Sequence, residues 1–209
     1  MTASAGLPVS YDSESRNTGP WVGIVTPAPP GSRRGNRVTA ERWAKLLTEL
    51  RCKTDVVEHY GVEQFDLLIV LHAGRGASSI REFRQRHPSR PLVVAVTGTD
   101  IYGVSFDLTE VADSLAVADR IVILQPRTAD DLPEALRPKV RVIFQSAEPP
   151  ARREPVRPEV FEMAVVGHLR PVKDPFRAAE ASRLLGANSR VRDASATIGP
   201  DGMTQIAAA

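Results

Sequence analysis

Six short runs of strand-forming residues punctuate residues 20–146, and the segments between them carry helical spacing. The runs are Trp21–Thr26, Lys53–Val57, Leu67–Leu71, Leu92–Val96, Ile121–Leu124 and Val140–Phe144, the second of them the weakest. Short continuous apolar runs bounded by turn formers are the mark of strands buried on both faces. Between them, Val38–Leu50 places Val38, Trp43, Leu46, Leu47 and Leu50 at helical spacing. Ser78–His87, Leu108–Ala118 and Asp130–Leu136 read as further helices, the first of these closed by Pro88, because a residue before proline avoids the helical region. Strands joined through helices run parallel, with helices covering both faces of the sheet. The expectation for residues 20–146 is therefore an α/β domain, a Rossmann-like doubly wound parallel sheet.

The flanks have other textures. Residues 1–19 are Ser, Thr, Gly and Pro with scattered charges and no period, and are read as a disordered leader. Residues 147–158 hold four prolines and three arginines, the composition of an extended interdomain linker. Residues 159–186 open a second Rossmann-like domain: FEMAVVGHLRPVKDP reads as a buried strand, a Gly turn carrying His168, Arg170 and Lys173, and a helix starting near Asp174. Pro175–Leu185 continues that helix with Phe176, Ala179 and Leu184 inward. Residues 187–209 show neither period and are read as an unpatterned tail. One strand and one helix cannot bury both their faces, so this second domain is expected to be incomplete, with oligomerisation a route to covering it.

Several function classes are excluded early. A net charge of +2 over 209 residues is too small to argue for nucleic acid. No apolar run approaches the ~20 residues of a membrane span, and no signal peptide opens the chain, so a cytoplasmic location is the expectation. Cys52 stands alone, which rules out a disulfide within the chain. The four histidines are scattered, no CxxC or HExxH occurs, and no metal is expected. GxSxG is missing, and with it the usual hydrolase elbow. Neither GxGxxG nor GxxxxGK[ST] is present, which disfavours an NAD-dependent oxidoreductase and a P-loop, and no cofactor is expected.

Ligands of an open parallel sheet sit outside the carboxyl ends of its strands. The strands here run out into Gly35-Asn36-Arg37, His72-Ala73-Gly74-Arg75, Thr97-Gly98-Thr99-Asp100, Gln125 and Gln145-Ser146. Each admits a structural role by itself: His72 as a satisfied histidine, Gly35-Asn36 as a turn and cap, Asp100 as a cap, Arg37 with Arg33 and Arg34 as a solvated cluster. Gathered on one edge they read as a binding edge. The Gly167–Lys173 turn has the same logic, since a Gly followed by cations at a helix start suits phosphate.

Two such domains joined by a linker resemble a GT-B glycosyltransferase, and the turn is similar to the G-R-L-x-x-x-K-G element of the family-4 group, with Gly167, His168, Leu169 and Lys173 in its places and Arg170 as a displaced cation. GNRVTAERWAKLL, LLIVLHAGRGASSI, PLVVAVTGTDIY, ADRIVILQ, VIFQSA and VVGHLRPVKDP, in this order, resemble the selenosugar synthases of selenoneine biosynthesis. That resemblance covers about residues 20–185. It implies transfer of a sugar from a UDP-sugar donor to selenophosphate, with His72 and Asp100 as the catalytic pair. Gly35, Asn36, Arg37, Arg75, Thr97, Gly98, Thr99, Gly167, His168, Arg170 and Lys173 are then the substrate-binding residues. Thr97 stands where related enzymes carry a histidine, and the acidic motif of the donor half does not follow in the chain. The alternative expectation is a truncated, non-catalytic Rossmann-like fragment that binds an anion or a partner.

Overall fold

The computed structural model describes residues 19–102, 108–149, 158–159, 161–168, 174, 176–185, 189–198 and 204–206. Residues 1–18 of the expected leader, residues 150–157 of the expected linker, and Arg170 and Lys173 lie outside them. The chain divides into two units, residues 1–147 and 148–209.

In the first unit, β1 (Trp21–Val25), β2 (Lys53–Val57), β3 (Leu67–Leu71), β4 (Leu92–Ala95), β5 (Arg120–Ile123) and β6 (Val140–Val142) form one sheet in the order β2-β1-β3-β4-β5-β6. Every neighbouring pair is parallel. The chain leaves β1 in one direction to make β2, then returns past β1 to build the rest. The strand order therefore reverses between β1 and β3, and right-handed crossovers put the helices of the two halves on opposite faces.

The cores follow that division. Side chains alternate along a strand, so Val22, Ile24, Ile69 and Leu71 face α1 (Gly35–Glu49), where they meet Ala40, Trp43, Ala44 and Leu47. Leu68, Val70, Leu92 and Val94 turn the other way, toward Ile80 and Phe83 of α2 (Ala77–Arg86) and Val111 and Leu115 of α4 (Leu108–Ala116). The sequence-based inner face of α1 needs correction: Val38, Leu46 and Leu50 are exposed. Ala40 and Ala44 take their place, because small residues let the helix lie close on the sheet. A similar close approach fixes Gly23, where a Cβ would stand 2.4 Å from the Phe65 ring. Phe65 packs edge-on against Trp21 at a centroid distance of 4.9 Å.

Two further differences have local causes. The helix expected at Asp130–Leu136 is replaced by 3-10 turns at Pro126–Ala129 and Glu134–Lys139. Pro126, Pro133 and Pro138 each remove a donor and break the i→i−4 ladder. A short helix, α3 (Gly98–Tyr102), also follows β4 directly.

The second unit is a small sheet of β7 (Phe161–His168), β8 (Ser189–Ile198) and β9 (Thr204–Ile206), with α5 (Arg177–Ser182) between the first two strands. β8 is parallel to β7 and β9 antiparallel to β8. This revises two readings. Gly167 and His168 are the last residues of β7 rather than a turn, because the ladder continues through Gly167↔Ser195 and His168↔Ala196 and holds both extended. The segment read as an unpatterned tail contains β8 and β9; backbone pairing forms strands there without the apolar alternation that announces them. Phe176 and Leu184, expected inward on α5's flanks, are 65% and 88% exposed.

Candidate functional site

The edge where β1 and β3 end side by side is built first from backbone. Val25 pairs with Val70, so Thr26 and His72 open the two loops at the reversal of strand order. The loop after β1 runs through Pro27, Pro29 and Pro30 into α1, whose first residues are Gly35 and Asn36. This places Gly35-Asn36-Arg37 inside the helix rather than in a turn ahead of it. The helix has no side-chain cap and no acidic residue in its first turn. Arg34 O takes back the N–H groups of Arg37 and Val38, at 3.0 and 3.1 Å. The N–H groups of Gly35 and Asn36 find no partner among the described residues, and a Cβ at Gly35 would meet only open space. Two bare N–H groups at the positive end of a 15-residue helix form a surface suited to an anion.

Arg37 follows in the first turn of the same helix. It is 8% exposed, its Nε donates to Glu41 Oε1 at 2.7 Å, and its Nη1 is buried without a hydrogen-bond partner. Thr26, fully buried at the end of β1, likewise carries an unpartnered Oγ1. Sequence reasoning passed over Thr26 as one more strand residue; its place one step past β1 at the reversal is the signal that could have found it. Unsatisfied buried polar groups are rare in folded proteins, and both of these lie in the elements that enter and leave the same loop.

The β3 and β4 ends interlock. Asp100 is fully buried and its Oδ2 accepts from Thr97 N at 2.6 Å and Thr97 Oγ1 at 3.1 Å. That is the carboxylate half of a capping box at the start of α3, while the Asp100 N–H returns to Thr97 O at 3.0 Å. Its Oδ1 accepts from Gly74 N at 3.3 Å and stands 2.5 Å from His72 Nδ1. His72 is 1% exposed, and its Nε2 lies 3.1 Å from Thr99 Oγ1. Its φ is +83°, a left-handed backbone that bulky residues seldom adopt. Gly76, the N-cap of α2, closes the loop: a Cβ there would lie 2.2 Å from Val70 and 2.9 Å from the His72 carbonyl oxygen.

Two groups compete for His72 Nδ1, since the Arg75 N–H also points at it from 3.1 Å. The shorter contact decides. A carboxylate oxygen at 2.5 Å from a bare ring nitrogen would set two lone pairs against each other, so Nδ1 carries the proton and Asp100 accepts it. In the neutral ring Nε2 is then an acceptor, and the Thr99 hydroxyl donates to it.

The edge thus sorts into layers. His72 and Asp100 are buried and reach solvent only through others, and Arg37 is buried but for 8% of its surface. Gly35, Arg75 and Gly98 are exposed, while Asn36, Thr97 and Thr99 are half-buried. His72, Thr97, Thr99 and Asp100 belong to one hydrogen-bonded network, with the Arg75 N–H beside it; Gly35, Asn36 and Arg37 stand at the adjacent strand end. Gln145, expected on the same edge, reaches Thr39 on α1 at 3.2 Å, and Ser146 accepts from Arg42. Gly167 and His168 belong to the other unit.

A hollow of about 540 Å³ lies at the opposite edge, where β4 and β5 begin. Its cations are engaged by the chain itself: Arg84 donates to Val117 O and Asp119, Arg120 to Asp119 O, and Lys139 to Ala116 O. Burial pushes the Asp119 carboxyl up, but the hydrogen bonds from Arg84 and the Leu92 N–H more than offset this and hold its pKa below the usual range. That hollow is a structural seam. Among the described residues, no three His, Cys, Asp or Glu side chains gather as a metal would need, and no helix is long and apolar enough to cross a membrane. No protein-family model matches the chain, and no curated protein matches it.

Proposed function

We propose that this chain belongs to a glycosyltransferase that moves a sugar from a UDP-sugar to selenophosphate. The reading draws its substrates from the ordered sequence blocks between Gly35 and Pro175. The observation that carries it is the bare N-terminus of α1 at the reversal between β1 and β3, with the buried Arg37 in its first turn. In such a reaction negative charge develops on the departing diphosphate, and donors already aimed at that charge lower the barrier without reorganising. The N–H groups of Gly35 and Asn36 serve that role. Arg75 and Thr97, with Gly98 and Thr99 at the start of α3, hold the acceptor; Arg75 is the group suited to a phosphate-bearing one. His72 and Asp100 act from beneath, setting the geometry of that rim.

The test pairs turnover with binding. Purified chain is incubated with UDP-sugars and selenophosphate while UDP release is followed, and inorganic diphosphate is titrated separately. Gly35→Pro is the informative variant. Proline suits the first helical position, Arg34 already holds the extended φ −67°, ψ 143° that precedes proline, and the space is open. The fold should survive while one N–H is lost. A hydrogen bond to a charged group contributes about 1.5–3 kcal/mol, so diphosphate should bind roughly 10–100-fold more weakly. Unchanged binding removes α1 from the site.

A second reading, anion binding without turnover, is favoured by one fact: the α1 N-terminus and Arg37 both lie in the first unit and need no other part of the chain. Diphosphate binding with no UDP release from any donor selects it.

A further inference from the structure

Thr99, His72 and Asp100 form a line of donors and acceptors that runs from the buried interior to the rim. Asp100 is fully buried and 2.5 Å from Nδ1 of a histidine that is 1% exposed, and Nε2 of that ring lies 3.1 Å from Thr99 Oγ1. Asp100 is itself held by two backbone donors, Thr97 N and Gly74 N, and the Thr97 hydroxyl, so its position is fixed from three sides. His72 reaches this geometry from a φ of +83°, and strain of that kind persists where surrounding structure over-determines it. Only Thr99 is in reach of a ligand, being half-buried at the edge. With the ring neutral and its proton on Nδ1, the Thr99 hydroxyl donates inward to Nε2, and its oxygen keeps lone pairs for a ligand.

We propose that Thr99 is the ligand-facing member of a proton relay, with His72 and Asp100 as positioning residues behind it, and that the ligand is a nucleophile that arrives protonated. This rests on the transfer reading above. The nucleophile's proton passes to Thr99 Oγ1 as the hydroxyl's own proton passes to His72 Nε2. The electron pair freed on the nucleophile forms the bond to the anomeric carbon, and the carbon–oxygen bond to the diphosphate breaks, its electrons leaving with the diphosphate. The imidazolium so formed lies against the Asp100 carboxylate.

The test uses the full chain and two readouts. Imidazole nitrogen resonances, with His72 assigned by comparison with His72→Asn, report the tautomer; UDP release with selenophosphate reports turnover. The expected result is a proton on Nδ1 and a bare Nε2. Thr99→Val should shift the Nε2 resonance and slow UDP release by about 10²-fold or more, the usual contribution of positioned proton transfer. Thr99→Ser should restore the resonance and hold turnover within about 10-fold of wild type, a fraction of that same contribution. A proton found on Nε2 overturns the relay, because Thr99 would then accept rather than donate. So does wild-type turnover in Thr99→Val. If the wild-type chain releases no UDP with any acceptor, the transfer reading is overturned, and the tautomer alone still decides whether the relay exists.

Discussion

Tyr60 and His87 show how single residues tie this molecule to pH. The Tyr60 hydroxyl meets His87 Nε2 at 2.9 Å, and Tyr60 packs edge-on to Phe83. Burial lowers the His87 pKa, with Arg90 and Arg86 adding repulsion; burial also raises that of Tyr60. The lowered His87 pKa gives its effect on stability a definite sign. The folded chain binds fewer protons than the unfolded one once pH falls toward the ordinary histidine value of about 6.5. The His87 contribution is complete above that value and is lost as pH falls through the lowered folded pKa. Urea midpoints should therefore drop as the solution is acidified from neutral pH through the histidine range, and the drop should shrink in His87→Gln. An equal drop in both proteins would assign the loss to other groups.

At the scale of elements, the end of α1 is the best-defined terminus. Leu50 caps the helix, Arg51 N returns to Thr48 O at 2.9 Å and Cys52 N to Leu47 O at 3.0 Å, while Arg51 sits at φ +66°. This left-handed closing position usually holds glycine. Arg51→Gly should stabilise the chain by about 1 kcal/mol, the low end of the strain on a non-glycine residue there, read as a higher denaturation midpoint with an unchanged slope. No change would mean that the Arg51 side chain gains as much as its backbone loses. The same helix marks how far sequence carries. Leu67–Leu71 announced itself because every residue is apolar, and the structure returns those bounds. The beginning of α1 was hidden because Gly35-Asn36-Arg37 carries no capping residue, and its packed face because Ala40 and Ala44 weigh less in any hydrophobic pattern than Val38 and Leu46. The site was legible only as a set of strand ends. That Thr99 meets His72, 27 positions away, depends on the register of β3 against β4, which no local pattern contains. Asp100 was nearer to legible, since Thr-x-x-Asp before a helix is a capping signature.

The whole molecule divides unevenly, and that division can be tested. Both cores draw their residues from the segment Trp21–Val140, whereas Phe161, Val166, Phe176 and Leu184 of the second unit are exposed. The first unit should therefore carry its stability within itself. Phe83, fully buried against Tyr60 and His87, should lose about 3–5 kcal/mol on Phe83→Ala, the usual cost of emptying a core site of that size. Phe176→Ala should stay within about 0.5 kcal/mol, as exposed substitutions do. Because two units need not unfold together, a single midpoint is a poor reporter, and hydrogen exchange is the better one. The amides of β1, β3 and β4 lie inside the sheet, so in a fragment of residues 19–147 they should keep the protection they have in the full chain, and Phe83→Ala should lower it equally in both. If protection of those three strands collapses in the fragment while Phe83→Ala has its full effect in the intact chain, then the second unit contributes to the first unit's stability through contacts that neither core contains.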